Sequence, residues 1–515
     1  MTGAEALIRA AVAGGVTICF ANPGTTEIPI VAALDEVAGM KAVLGLFEGV
    51  CTGAADGYGR VTAKPAMTLL HLGPGLANGV ANLHNARRAR TPLFNVIGEH
   101  ATWHRLNGPP LTIDIEALAA TVSAWVRTTA SADALSADVA DGLNASLGGR
   151  VSTLIVPSDL QQADVSDFTV AAALPPFAPL SAEPIERAAR LLKAGRKTAM
   201  ILGGRALREA GLAAAARVKA ATACDLLADS FPPYLERGGG LPILRRIPYF
   251  PEAALDLLSP YDAVVLAGAR EPVTFFGYPG IPGRLLKEGK DRLVLSDDGQ
   301  DEIAALQGLA DALDGPPAFR AIDAPAGPRP PVLSSGPLTP ETICLTLAAL
   351  QPENAIIVDE GLTTAFPYYG LSAGAPRHSL MTIVGGAIGY GMPAALGAAL
   401  AAPDRKVINI EADGSGLYTV QALWSQARAG ADITTLVCSN RRYHILEVEL
   451  SRSGMDAPGP EKAALTQLSP PAINWVEIAA GFGVEAMAVD TAEGLARALA
   501  KALSARGPHL IEMLL

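Results

Sequence analysis

Residues 407–442 limit what this chain can fold into more than any other stretch. An apolar run, Val407-Ile408-Asn409-Ile410, leads into Glu411-Ala412-Asp413-Gly414-Ser415-Gly416. Leu417, Val420, Leu423, Trp424 and Ala427 then recur at helical spacing, and a second apolar run at 433–438 ends in Ser439-Asn440-Arg441-Arg442. The pattern predicts strand, tight glycine turn, helix, strand. Such a crossover makes the two strands parallel and is right-handed in nearly every case. Both strands then finish at one sheet edge, so Asp413 and Asn440 meet there although 27 positions (440 − 413) separate them. The amides of Gly414, Ser415 and Gly416 at a helix start make an anion site. A carboxylate, an amide oxygen and a phosphate-binding turn at one point suit Mg²⁺, which takes oxygen ligands and shares them with phosphates. The plain alternative is an ordinary strand–helix turn with a capping serine.

The same alternation runs through the rest of the chain. Segments 16–20, 43–47, 67–70 and 93–97 read as strands between helical patterns at 4–13, 50–60 and 77–88, which implies a parallel sheet. Thr25, Glu48 and His71 all fall beyond carboxyl ends of strands, where such sheets gather functional groups. A histidine there can transfer protons near neutral pH. Taken alone, Glu48 also reads as a helix N-terminal carboxylate favoured by the macrodipole, and His71 as a structural residue at a strand end. Prolines 175, 176, 179 and 184 mark a linker at about 160–185, and a second Pro- and Gly-rich linker covers 324–337. Between them, strands at 199–202 and 263–266 end in Gly203-Gly204 and Gly268-Ala269-Arg270. Beyond them, a strand at 355–358 leads into Asp359-Glu360-Gly361-Leu362-Thr363, a glycine-rich run spans 385–391, and a last strand covers 509–513. This gives three domains, 1–165, 186–318 and 339–515, in keeping with a chain of 515 residues.

Charge and composition exclude several classes. The net charge of −11 argues against a nucleic-acid binder. The five cysteines are scattered with no Cys-x-x-Cys pair, so neither a zinc site nor a disulfide framework is expected. The start lacks a basic, apolar leader, and no apolar run is long enough to span a bilayer. A soluble cytoplasmic protein is the expectation.

Together these motifs resemble the thiamine-diphosphate-dependent superfamily of acetolactate synthase, pyruvate decarboxylase and benzoylformate decarboxylase. The stretch at 411–442 resembles its Gly-Asp-Gly-Ser to Asn-Asn motif, with Ala412 for the first Gly and Ser439 for the first Asn. Phe47-Glu48-Gly49-Val50 through Asp56-Gly57-Tyr58-Gly59-Arg60 resembles the pyrimidine-binding domain, and Gly385 to Pro393 the segment that wraps the cofactor. The resemblance implies an α/β fold of three doubly wound parallel-sheet domains: pyrimidine-binding, middle and diphosphate-binding. It implies that Asp413, Asn440 and the Arg442 carbonyl hold Mg²⁺, and that Thr363, Gly414 and Ser415 meet the diphosphate. Glu48 then bonds the aminopyrimidine, Gly386 offers its carbonyl to the amino group, and Ile388, otherwise a plain core residue, forces the cofactor's V shape. Thr25 binds the substrate carboxylate and His71 moves protons. Tyr443 stands after the Asn motif as in benzoylformate decarboxylase.

The activity so implied is attack on a 2-oxo acid, loss of CO₂ and an enamine passed to a proton or to a carbonyl acceptor. The wording of 47–60 and 71–90 is most similar to acetolactate synthase large-subunit-like proteins. Aryl 2-oxo acid decarboxylation is the alternative, although the second catalytic histidine of benzoylformate decarboxylase has no counterpart: residues 270–280 offer Phe275, Phe276 and Tyr278. A flavin-dependent oxidase of the pyruvate oxidase type and a non-catalytic binder of the cofactor are further alternatives. Gly203-Gly204-Arg205 is too short a signal to assign FAD or an adenine nucleotide to the middle domain, and an empty domain is expected. The family's assembly implies a homodimer or homotetramer with active sites between subunits.

Overall fold

The structure is a computed structural model that describes residues 1–166, 168, 177–318, 330, 335–455, 457 and 459–515. It divides into two compact units: Met1–Pro176 with Pro331–Tyr368 and Ile383–Leu515, and Phe177–Pro330 with Tyr369–Thr382. Prolines 175 and 176 and most of the second predicted linker lie outside the described residues.

The first unit opens with a six-stranded parallel sheet in the order β2-β1-β3-β4-β6-β5. Its strands are β1 Ile18–Asn22, β2 Lys41–Leu44, β3 Ala66–His71, β4 Leu93–Glu99, β5 Trp125–Thr128 and β6 Val151–Pro157. Helices α1 (Gly3–Ala13), α2 (Ile28–Glu36), α3 (Glu48–Thr62) and α4 (Leu72–Ala89) alternate with the early strands. Strands buried on both faces read as continuous apolar runs, and β4 and β6 are buried throughout. The strand expected at 43–47 stops at Leu44, because Phe47 is the N-cap of α3 and Glu48 its first residue.

The second unit carries β7 Thr198–Leu202, β8 Asp225–Ala228, β9 Leu235–Arg237, β10 Arg245–Arg246, β11 Ala263–Ala267 and β12 Asp291–Val294. Five of them pair as β10-β8-β7-β11-β12, all parallel. Its first helix, Ala182–Lys193, starts before Pro184, which a first turn tolerates because that N–H has no helical partner. The turns after β7 and β11 press together: Gly203 N donates to Ala267 O at 3.0 Å, and a Cβ on Gly203 would lie 2.7 Å from Ala269 Cα. This close approach requires a glycine at 203. Phe231, Tyr249, Phe250, Phe275 and Phe276 form one aromatic cluster, ring centroids 5.0–5.9 Å apart, with Phe275 and Phe276 exposed. Antiparallel to β9 runs β14, His378–Thr382.

The first unit closes with five parallel strands in the order β17-β18-β16-β15-β13. These are β13 Ala355–Glu360, β15 Val407–Ala412, β16 Ile433–Ser439, β17 Glu485–Val489 and β18 His509–Leu514. The single helix expected after Asp413 is broken into one turn (Asp413–Gly416), a 3₁₀ turn (Leu417–Thr419) and a helix (Ala422–Ala429). Gly414 and Gly416 are poor helix formers. All five cysteines are buried free thiols. Among the described residues, no helix is long and apolar enough to cross a membrane.

Candidate active site

In the first sheet the strand order reverses between β1 and β3, and open α/β sheets bind ligands in the crevice at that point. The sequence places a buried carboxylate there. Glu27, in the turn after β1, is fully buried and His71 ends β3. Buried charge needs partners, and Glu27 Oε2 accepts from His71 Nδ1 and from Gly24 N, each at 2.7 Å. Thr26 Oγ1 donates to Glu27 Oε1 at 2.5 Å and lies 3.3 Å from His71 Nδ1. The carboxylate fixes the proton on Nδ1, which leaves Nε2 as the acceptor. The hydroxyl that reaches His71 is thus that of Thr26, while Thr25 is exposed. Glu27 was not legible as a functional residue; a carboxylate closing a loop of hydroxyls is the signal that could have found it.

Glu48 opens α3 and is 7% exposed; its Oε2 accepts from Asn78 Nδ2 at 3.0 Å. Asn78 is another residue the sequence pattern did not single out. The residue after His71, Leu72, has φ +53, a left-handed conformation that costs a side-chain-bearing residue energy. Leu362 (φ +47) and Arg441 (φ +59) are strained in the same way, and they follow β13 and β16. Held strain of this kind clusters at ligand sites.

At the carboxyl edge of β15 and β16 the parallel register pairs Ala412 with Cys438. That brings the Asp413 carboxylate to the 440–442 turn: Oδ2 accepts from Arg441 N at 2.6 Å and Oδ1 from Gly414 N at 2.9 Å. Asn440 Oδ1 accepts from Arg442 N at 3.1 Å. Burial pushes the Asp413 carboxyl up to about 6, against the pull of these amides. Ser415 Oγ is buried with no hydrogen-bond partner among the described residues. Gly414 admits the Tyr443 ring, which would lie 2.5 Å from a Cβ there, and Thr363 is half-buried in the turn after β13. Among the described residues there is no group of three His, Cys, Asp or Glu side chains fit for a metal. The donor set here is instead one carboxylate and one amide oxygen, with a hydroxyl that lacks a partner. It fits a hard cation bridging to a phosphate.

The run at 385–391 meets the same edge through Glu360, the last residue of β13. Glu360 Oε1 accepts from Gly389 N at 2.8 Å and Oε2 from Gly391 N. Burial pushes Glu360 up to about 7, and burial plus the charge of Glu360 pushes Glu411 well above the carboxylate range. The two titrate as a pair. Gly386 is exposed and Ile388 half-buried.

Comparison with known proteins identifies the family. Residues 1–118 match the thiamine pyrophosphate enzyme N-terminal TPP binding domain, and residues 361–513 the C-terminal TPP binding domain. A Mycobacterium tuberculosis protein named "Putative acetolactate synthase large subunit IlvX" is 47% identical over 100% of this chain and 99% of its own. A Pseudomonas aeruginosa benzoylformate decarboxylase is 31% identical over 97% of this chain and 96% of its own. Among solved structures, the thiamine diphosphate-dependent 4-hydroxybenzoylformate decarboxylase of Rhodococcus jostii superposes with a TM-score of 0.87 at 26% identity, covering 99% of this chain and 98% of that one.

Proposed function

Because the chain belongs to the thiamine-diphosphate-dependent enzymes of the acetolactate synthase and benzoylformate decarboxylase family, we propose that it is a Mg²⁺-dependent 2-oxo acid decarboxylase and carboligase. The observation that carries this reading is the meeting of Asp413 with the Asn440 turn beside the unpartnered Ser415 hydroxyl. Bound thiamine diphosphate supplies the carbanion chemistry at the keto carbon. In this reading Asp413, Asn440 and the Arg442 carbonyl hold Mg²⁺, while Thr363, Gly414 and Ser415 receive the diphosphate and Tyr443 closes over it. Gly386 and Ile388 present their free edge to the cofactor ring. Glu48, oriented by Asn78, holds the ring's proton-sharing nitrogen. His71, set by Glu27, gives and takes protons at Nε2, and Thr25 and Thr26 offer hydroxyls to the substrate carboxylate. Acetolactate synthase-like carboligation is the reading that the Mycobacterium tuberculosis relative favours.

Assembly belongs to the same proposal. We place the pyrimidine side of one copy against the diphosphate side of another, in a homodimer or homotetramer. Ile28, Leu46, Trp103, Leu106, Leu417 and Tyr418 are exposed on the single chain, as an interface would require. The second reading is an aryl 2-oxo acid decarboxylase, which the Pseudomonas aeruginosa relative favours. Isothermal titration with thiamine diphosphate, with and without Mg²⁺, tests the cofactor reading; the expected result is tight binding only with the metal. Binding indifferent to Mg²⁺ and to Asp413→Ala would contradict it.

A further inference from the structure

Residues 383–390 have no regular secondary structure, yet their backbone polar groups need partners. Several of those partners come from α4, while Glu360 accepts from Gly389 N. His84 Nε2 meets Gly385 O at 3.1 Å. Asn85 makes both bonds of a strand neighbour with Ala387: Ala387 N donates to Oδ1 at 3.2 Å, and Nδ2 donates to Ala387 O at 2.8 Å. Asn82 Nδ2 donates to Gly389 O at 3.1 Å, an oxygen that also accepts from Thr419 Oγ1 at 2.9 Å. The tied residues are 385, 387 and 389. Among the described residues, no hydrogen bond joins Gly386 or Ile388 to the rest of the chain. Alternate residues are held and alternate residues are left open, as along a strand with one free edge.

The holding network is closed. Asn82 is 2% exposed and Asn85 fully buried. Asn85 uses its second Nδ2 hydrogen on Asn82 Oδ1 at 2.9 Å, and Asn82 uses its second on Gly49 O, also at 2.9 Å. Both carboxamides therefore spend both donors and an acceptor, and a fully satisfied buried polar network rigidifies what it touches. Through Gly49 it also touches the residue that follows Glu48.

We infer that Asn82 and Asn85 are positioning residues that hold 385–389 with Gly386 and Ile388 presented to the cofactor before it arrives. The inference rests on the reading above, in which that segment receives thiamine diphosphate. Preorganisation of this kind raises affinity by lowering the ordering cost of binding. It should also set the angle at which the ring is held, which a merely structural role would not.

The test uses the full-length protein with Mg²⁺ and thiamine diphosphate. Asn82→Ala, Asn85→Ala and Ile388→Ala are compared with the parent in three readouts: amide hydrogen exchange over 383–390 without cofactor, cofactor Kd, and proton exchange at the cofactor C2 at saturation. The asparagine variants should speed amide exchange in the segment about tenfold, raise Kd by roughly 10- to 100-fold, the range for lost supporting contacts, and slow C2 exchange. Faster amide exchange with unchanged Kd and C2 exchange would overturn the inference, as would no change in any readout. If both asparagine-to-alanine variants fail to fold, Asn82→Ser and Asn85→Ser replace them; unchanged protection and Kd there would overturn the inference equally. Failure of the underlying reading looks different: the parent does not bind, or Ile388→Ala changes neither Kd nor C2 exchange.

Discussion

Replacing Glu27 by Gln keeps the shape of a fully buried side chain and removes its charge. The carboxylate accepts three hydrogen bonds, from Gly24 N (2.7 Å), Thr26 Oγ1 (2.5 Å) and His71 Nδ1 (2.7 Å). An amide has one acceptor oxygen. With that oxygen toward Gly24 and His71, the NH₂ faces Thr26, whose hydroxyl can turn and accept. The opposite setting would press the NH₂ against the Gly24 N–H, which cannot turn. The first setting wins. Three charge-assisted bonds then become neutral ones at about 1 kcal/mol each, so folding stability should fall by roughly 3 kcal/mol. His71 keeps its place and its Nδ1–H tautomer, because the amide oxygen still accepts that proton, but it loses the negative charge that stabilises its protonated form. A positioned proton carrier is worth roughly 10²- to 10⁴-fold; that is the ceiling here because His71 stays, and kcat/KM for CO₂ release from a 2-oxo acid should drop about 10- to 100-fold. Cofactor Kd, measured alongside, should stay within about threefold, since the hydrogen bonds of Glu27 go to Gly24, Thr26 and His71 and none to the 413–442 stretch. A variant whose kcat/KM also stays within threefold of the parent refutes the argument that Glu27 works through His71.

Three further outcomes follow from the same geometry. Asp413→Ala should abolish Mg²⁺-dependent cofactor binding in titration calorimetry; in the parent, binding should weaken about tenfold per pH unit below about 6, where the cation must displace a proton from Asp413. Glu48→Gln should still bind cofactor yet lose exchange of its C2 proton by NMR; undiminished exchange would remove Glu48 from the reaction. Glu360 and Glu411 have folded pKa values raised above their unfolded ones, so the folded state holds the extra proton: this stability is fully present below about 4.5 and is lost as pH rises through the folded values, about 7 for Glu360. The ligand-free protein should therefore melt lower at pH 8 than at pH 5, and Glu411→Gln should flatten that slope; an unflattened slope would mean another group is responsible.

What was legible in the sequence was local. Apolar runs place β13, β15 and β16 within two residues of their observed ends, and parallel crossovers bring Asp413 to the Asn440 turn as the spacing requires. What was not legible depends on distant pairing. Asn82 and Asn85 meet 387 and 389 across more than 300 positions, and nothing in α4's own pattern distinguishes them from capping or solvated amides. Glu360 and Glu411 did leave a trace, each a carboxylate at the end of a continuous apolar strand where charge is rarely buried unpaired. The choice between Thr25 and Thr26 turns on the twist of a single 3₁₀ turn, which spacing does not specify.

The measurement that bears most directly on the central claim is a product assay with thiamine diphosphate and Mg²⁺. Pyruvate and benzoylformate are supplied separately, each with and without an aldehyde acceptor, and CO₂ and products are followed. The account predicts cofactor-dependent CO₂ release, with acetolactate from pyruvate for the synthase reading, benzaldehyde from benzoylformate for the aryl decarboxylase reading, or a 2-hydroxy ketone once aldehyde is added. A protein that binds the cofactor through Asp413 yet releases no CO₂ from these or a wider panel of 2-oxo acids would contradict it.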